Sequence, residues 1–165
     1  VLHLPVLSED KFSGVVEKDD LLDVDQDGLL ASLEQSLKKV SVKGEEHFLV
    51  AVKLTAEHEL TILPVINEHS ELVGIIPAKS LFAHVSRFIG NEEKGGIIVL
   101  ETDKRHFSFG EISRLVETNE AYITQLNTYP ESDTGLIIVT IKINKIEGVI
   151  LSDLVVICFI SECHT

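Results

Sequence analysis

Short apolar runs separated by polar turns fill the first half of the chain, and one stretch organises them: Leu60 to Phe82, LTILPVINEHSELVGIIPAKSLF. An apolar run closing on Leu63-Pro64-Val65, a polar turn, a second apolar run entered through Gly74 and a short helical piece predict one strand-turn-strand-helix unit. The chain opens with a copy of it, since Leu2 to Leu22 reads LHLPVLSEDKFSGVVEKDDLL. Pro5 answers Pro64 and Gly14 answers Gly74, with the second turn one residue longer. A repeat of this size predicts two similar units packed against each other.

Between the copies, DVDQDGLLASLEQSLKKV predicts an acidic turn and an amphipathic helix with Leu29, Leu30, Leu33 and Leu37 on one face. From Val40 the second copy is complete. A short extended piece, VSVKG, precedes a helix over Glu45 to Glu59 in which Phe48, Ala51, Val52 and Ala56 recur at helical spacing. The first copy lacks that leading strand and helix, so it is expected to be incomplete at its start. Asn91 to Gly96 is polar and reads as a domain linker, with Gly95-Gly96 as its hinge. After it the grammar changes. Strands are predicted over Ile97–Leu100, Ala121–Tyr129, Gly135–Asn144 and the final VVICFI. Helices are predicted over Phe107–Glu120, with Ile112, Leu115 and Val116 inward, and over Glu147–Leu154. This is βαββαβ, the split βαβ order of ferredoxin-like domains.

Composition narrows the partners. The 165 residues carry a formal charge of −13 with no cluster of Lys or Arg, which argues against a nucleic-acid track and against an anionic membrane surface. No apolar run reaches the roughly 18 residues of a membrane span, nothing at the start resembles a signal peptide, and a cytoplasmic location is expected. Cys158 and Cys163 form no disulfide framework and suit a reducing compartment. Methionine is absent, so the chain is expected to be part of a longer translated product.

Two copies of h-x-L-P-V, a turn, then G-h-h-x-x-x-D/S-L resemble the CBS motif, which occurs in tandem as a Bateman module. The residues are Leu4-Pro5-Val6 with Gly14-Val15-Val16 and Asp20-Leu21, then Leu63-Pro64-Val65 with Gly74-Ile75-Ile76 and Ser80-Leu81. The tail is similar to ACT domains in its element order and in the turn from Asn119 to Ile123. The expected fold class is therefore α+β: a CBS-domain pair followed by a ferredoxin-like βαββαβ ACT-like domain. The expected boundaries are 1–39 for the partial first CBS unit and connecting helix, 40–90 for the second CBS unit and 95–165 for the ACT-like domain.

The resemblance implies regulation, with an adenine nucleotide, AMP or ATP, bound in the cleft between copies. It also implies apolar walls at Leu4-Pro5 and Leu63-Pro64. The family grips ribose with Thr or Ser three residues before Asp. Here the first copy has Glu17 and Asp20, and the second Pro77 and Ser80. A carboxylate such as Asp20 accepts both ribose hydroxyls, whereas Ser80 offers one hydroxyl and Pro77 no donor. Nucleotide binding is thus expected mainly at the first copy, with Asp20 opening a helix whose amides favour phosphate and Glu17 repelling it. The ACT family's glycine before the first helix is replaced near Phe107-Ser108, which weighs against an amino-acid site.

Other chemistry carries a blander reading. Asp23 to Glu34 satisfies the calcium-loop pattern D-x-[DN]-x-[DN]-G-x5-E, but no full entering helix precedes it and no partner hand exists. An acidic linker with Asp27 or Gly28 capping the next helix is expected instead, and no metal site. His47, His58, His69 and His84 are scattered, and Cys158, Cys163 and His164 read as a buried strand cysteine and a terminal tail. No nucleophile elbow, P-loop or G-x-G-x-x-G occurs, so no catalytic residue is expected. The leading function is a non-catalytic ligand-sensing regulatory module whose partners are a small-molecule ligand and a second copy in a homodimer. The alternatives are a dimerising scaffold, a calcium-binding module using Asp23–Glu34, or an enzyme whose site the sequence does not reveal.

Overall fold

A computed structural model of the protein describes residues 2–22, 33 and 36–145, together with the backbone of 157–161. It divides into two compact units, Val1–Val85 and Ser86–Thr165.

In the first unit, β1 (His3–Ser8) and β2 (Lys11–Glu17) form an antiparallel hairpin followed by α1 (Lys18–Leu22). The two-residue turn sets both Glu9 and Asp10 at positive φ, 51° and 65°, the geometry that matches the strands' own twist. β3 (Val42–Lys43) and α2 (Phe48–Glu57) lead into a second hairpin, β4 (Ile62–Ile66) and β5 (Leu72–Pro77), followed by α3 (Ala78–Phe88), whose last residues from Ser86 belong to the second unit. Its longer turn is held by the Asn67 side chain, whose Oδ1 accepts from the amides of His69 and Glu71, both at 2.9 Å.

The two hairpins repeat each other pair for pair. His3 faces Glu17 as Ile62 faces Pro77, Pro5 faces Val15 as Pro64 faces Ile75, and Val6 faces Gly14 as Val65 faces Gly74. Each has its register shift at the same place, after Val6 and after Val65. Each also ends on the same hydrogen bond, Lys18 N to Leu2 O at 2.7 Å and Ala78 N to Thr61 O at 2.9 Å. The copies meet through equivalent positions, as a local two-fold axis requires: Lys11 bridges Glu71, and Phe12 N donates to Ser70 O at 2.8 Å. One core serves both, with Val15 of the first copy packed among Val42, Ala51, Leu60, Leu63 and Leu81 of the second.

Local turns move some boundaries. The helix expected from Glu45 starts at Phe48, because Gly44 to Glu46 turn, with the Glu46 side chain accepting from Lys43 N at 2.7 Å and the His47 ring capping Leu49 N at 3.3 Å. Ala56, expected inward, is exposed, and the longer Leu54 packs against the core in its place. Most of the segment carrying the leucine stripe lies outside the described residues; Leu33 is buried, and by Lys38 the chain is extended and paired with β2.

That pairing explains Gly14. Val15 and Lys38 exchange two backbone hydrogen bonds of 2.9 Å, which brings Leu37 so close that a Cβ on Gly14 would meet Leu37 Cβ at 2.8 Å. A Cβ on Gly74, its equivalent, would meet nothing within 4 Å among the described residues. Gly14→Ala is expected to destabilise the protein by about 1–3 kcal/mol through overpacking, and Gly74→Ala by less than about 0.5 kcal/mol. Paired urea titrations check this, and equal losses at both sites would contradict it.

The second unit contains β6 (Gly95–Thr102), α4 (Phe109–Thr118), β7 (Ile123–Pro130), β8 (Ile137–Ile143) and β9 (Ile157–Ser161). The sheet order is β7-β8-β6-β9, with every neighbouring pair antiparallel. β8 therefore sits between β6 and β7, the split βαβ arrangement expected from the order of elements. The segment predicted as the second helix lies outside the described residues. Ile112 and Val116 of α4, with Leu115 beside them, pack on Ile98, Leu100, Val139, Ile141 and Ile143. Ser108 caps α4 by accepting from Glu111 N at 3.3 Å.

Gly95 and Gly96 are not a hinge. Both are buried at the start of β6, where β8 passes so closely that a Cβ on Gly95 would lie 1.9 Å from the Ile143 carbonyl oxygen.

Candidate functional site

The positions expected to grip ribose fall at the hinge between the last strand of each hairpin and its helix. Glu17 ends β2 and Asp20 lies half-buried in α1; Pro77 ends β5 and Ser80 lies in α3, both exposed. Strand registry makes Glu17 the counterpart of Pro77, so the difference between copies is one of side-chain chemistry on a shared backbone. The expected walls also differ. Leu63 and Pro64 are fully buried, whereas Leu4 is exposed and Pro5 half-buried.

Around Glu17 the structure assembles groups that the sequence does not group. Lys38, from the connecting segment, sets its Nζ 2.7 Å from Glu17 Oε1 and 3.4 Å from the His58 carbonyl oxygen at the end of α2. His3, across the strand from Glu17, has its Nε2 3.6 Å from the same Oε1. The His3 side chain is only 1% exposed, and Nε2 has no hydrogen-bond partner among the described residues. Its Nδ1 accepts from Thr61 N at 3.2 Å and lies 3.1 Å from the Thr61 hydroxyl, which in turn accepts from His3 N at 3.0 Å. Because Nδ1 is an acceptor there, the proton of the neutral ring belongs on Nε2, facing Glu17. The Lys38 ammonium holds the Glu17 carboxyl below the usual carboxylate range by hydrogen bonding, against the opposing effect of burial and with a smaller contribution from His3.

This chain of groups, Thr61 to His3 to Glu17 to Lys38 to the His58 carbonyl, stitches the first hairpin to the second copy. The histidine inside LHLPV is a misleading hint, since alternation sets it opposite Leu2 and Leu4, yet the structure buries His3 and leaves both leucines exposed. Thr61 and Lys38 gave no comparable signal. The Asp23–Glu34 loop falls, apart from Leu33, outside the described residues, as do Cys163, His164 and the Cys158 side chain. Among the described residues no helix is long and apolar enough to cross a membrane.

Both hairpins carry the P-V…G-h-h signature, and the family model of the CBS domain matches residues 36–87. Over that segment the chain is similar to CBS domains, and the hairpin His3–Glu17 repeats the matched one. An inosine-5'-monophosphate dehydrogenase of Korarchaeum cryptofilum (strain OPF8) is 30% identical over 97 residues, 58% of this chain. The chain spans only 20% of that enzyme's length. Among solved structures, a CBS domain pair/ACT domain protein from Thermotoga maritima is 30% identical, with 53% of this chain and 72% of that one covered at a TM-score of 0.48. The cytosolic domain of the Mg2+ channel MgtE, in complex with ATP, is 24% identical, with 51% and 34% covered at a TM-score of 0.45.

Proposed function

We propose that the chain is a non-catalytic, ligand-sensing regulatory module that takes an adenine nucleotide, AMP or ATP, in the cleft between its CBS copies, mainly at the first. Leu4 and Pro5 provide the apolar wall there, and Asp20 and Glu17 the ribose contacts. The observation that carries this reading is the asymmetry on a common frame: two hairpins of identical registry, one ending in Glu17 and Asp20, the other in Pro77 and Ser80. The CBS match over 36–87 supports a regulatory module, and the β7-β8-β6-β9 order supports reading 95–165 as an ACT-like domain following CBS units at 1–39 and 40–90. Apolar side chains left exposed on the helices, Leu49 on α2 and Phe82 on α3, support a homodimer.

A thermal-shift panel of AMP, ATP, calcium chloride and free amino acids tests the ligand. A nucleotide at a hundred times its Kd should stabilise the protein by about 2.7 kcal/mol, and calcium or amino acids should not. No response to either nucleotide at millimolar concentration would defeat the reading in favour of a scaffold. Light scattering checks assembly, with twice the 18.2 kDa of one chain expected.

A further inference from the structure

Glu17 stands at a position that should repel a nucleotide, because its charge lies beside the ribose of an anionic ligand. The structure supplies the answer from outside the hairpin. We propose that Lys38 is a specificity-determining residue of the first-copy cleft: its ammonium neutralises Glu17, so that this carboxylate accepts a ribose hydroxyl without rejecting the phosphate. This deepens the function proposed above and rests on it.

The geometry fits the role. Lys38 Nζ takes Oε1 at 2.7 Å, with the His3 Nε2 proton facing the same oxygen at 3.6 Å, while Oε2 has no partner among the described residues. The carboxylate is thus held through one oxygen and offers the other. Lys38 and Glu17 are both about one-third exposed, at 34% and 31%, so the pair lies where a ligand can reach it. The lysine is itself anchored, through the two backbone hydrogen bonds to Val15 and through the His58 carbonyl. The lowered Glu17 pKa is consistent with the pairing, Lys38 being its largest cause. The second copy has neither half of the device: Pro77 brings no charge, and among the described residues no segment crowds Gly74 as Leu37 crowds Gly14.

Calorimetry on the full chain with AMP and with adenosine tests this. Lys38→Met should weaken AMP about tenfold, the size expected when a nearby carboxylate loses its counter-charge, and change adenosine by less than about twofold. Lys38→Arg should keep AMP within about twofold of wild type. Adding Glu17→Gln to Lys38→Met should restore most of the AMP affinity, since the neutral amide needs no neutralising; a lysine that merely braces the fold would not be rescued so. Equal loss for AMP and adenosine, or no rescue by Glu17→Gln, overturns the role of Lys38 and leaves nucleotide binding standing. A wild-type chain that binds neither ligand at millimolar concentration overturns both.

Discussion

Gly95→Ala is expected to destabilise the second unit by about 3 kcal/mol or more, at the upper end of what overpacking costs, because the obstacle is backbone and cannot rotate away. The added Cβ would stand 1.9 Å from Ile143 O and 3.1 Å from Ile143 C, and Gly95 sits in β6 between β8 and β9. Relief requires the end of β8 to move, which loosens the pairing of Gly96 with Ile143 and the 3.0 Å hydrogen bond from Gly96 N to Lys145 O. Gly110→Ala in α4 is the control. Among the described residues nothing lies within 4 Å of its added Cβ, and replacing a helical glycine should stabilise by about 0.5–1 kcal/mol. The chain has no tryptophan and two tyrosines, Tyr122 and Tyr129, both in the second unit, so tyrosine fluorescence in urea reads that unit directly. A Gly95→Ala midpoint within about 1 kcal/mol of wild type at unchanged slope would refute the packing argument.

That glycine pair also marks where the sequence stops being readable. The duplicated hairpin could be recognised because everything that makes it is local: alternation along the strand, a turn of fixed length, and Pro and Gly at matched positions. The split βαβ order was likewise visible from the succession of periods. Gly95-Gly96 reads as a hinge by sequence, yet it is buried in β6, because the need for glycine there arises some fifty residues away, at the Ile143 carbonyl that no local pattern announces. The start of α2 slipped from Glu45 to Phe48 for a smaller reason, a turn in which a glutamate side chain satisfies a backbone amide. Of the candidate site, the motif positions point to Glu17, Asp20, Pro77 and Ser80. No motif points to Lys38 or Thr61, since their roles exist only once the connecting segment pairs with β2 and the two copies meet around their local axis.

Asp20→Ala should weaken AMP or ATP binding about ten- to a hundredfold, while Ser80→Ala should leave it within about twofold. The first figure is what removing a charged acceptor costs if, as proposed, Asp20 takes a ribose hydroxyl, about 1.5–3 kcal/mol. The second follows from what Ser80 brings: a single exposed hydroxyl beside Pro77, which has no donor to complete a grip. Asp20 makes no hydrogen bond or ion pair with another described residue, so its removal should leave thermal stability without ligand within about 0.5 kcal/mol of wild type, and any loss of affinity then belongs to the ligand. Titration calorimetry gives the stoichiometry in the same experiment, and one nucleotide per chain is expected. Two equal sites per chain would mean that Pro77 and Ser80 bind as well as Glu17 and Asp20. Unchanged affinity in Asp20→Ala would remove the carboxylate from the site. Either result would end the proposal that nucleotide binds mainly at the first copy.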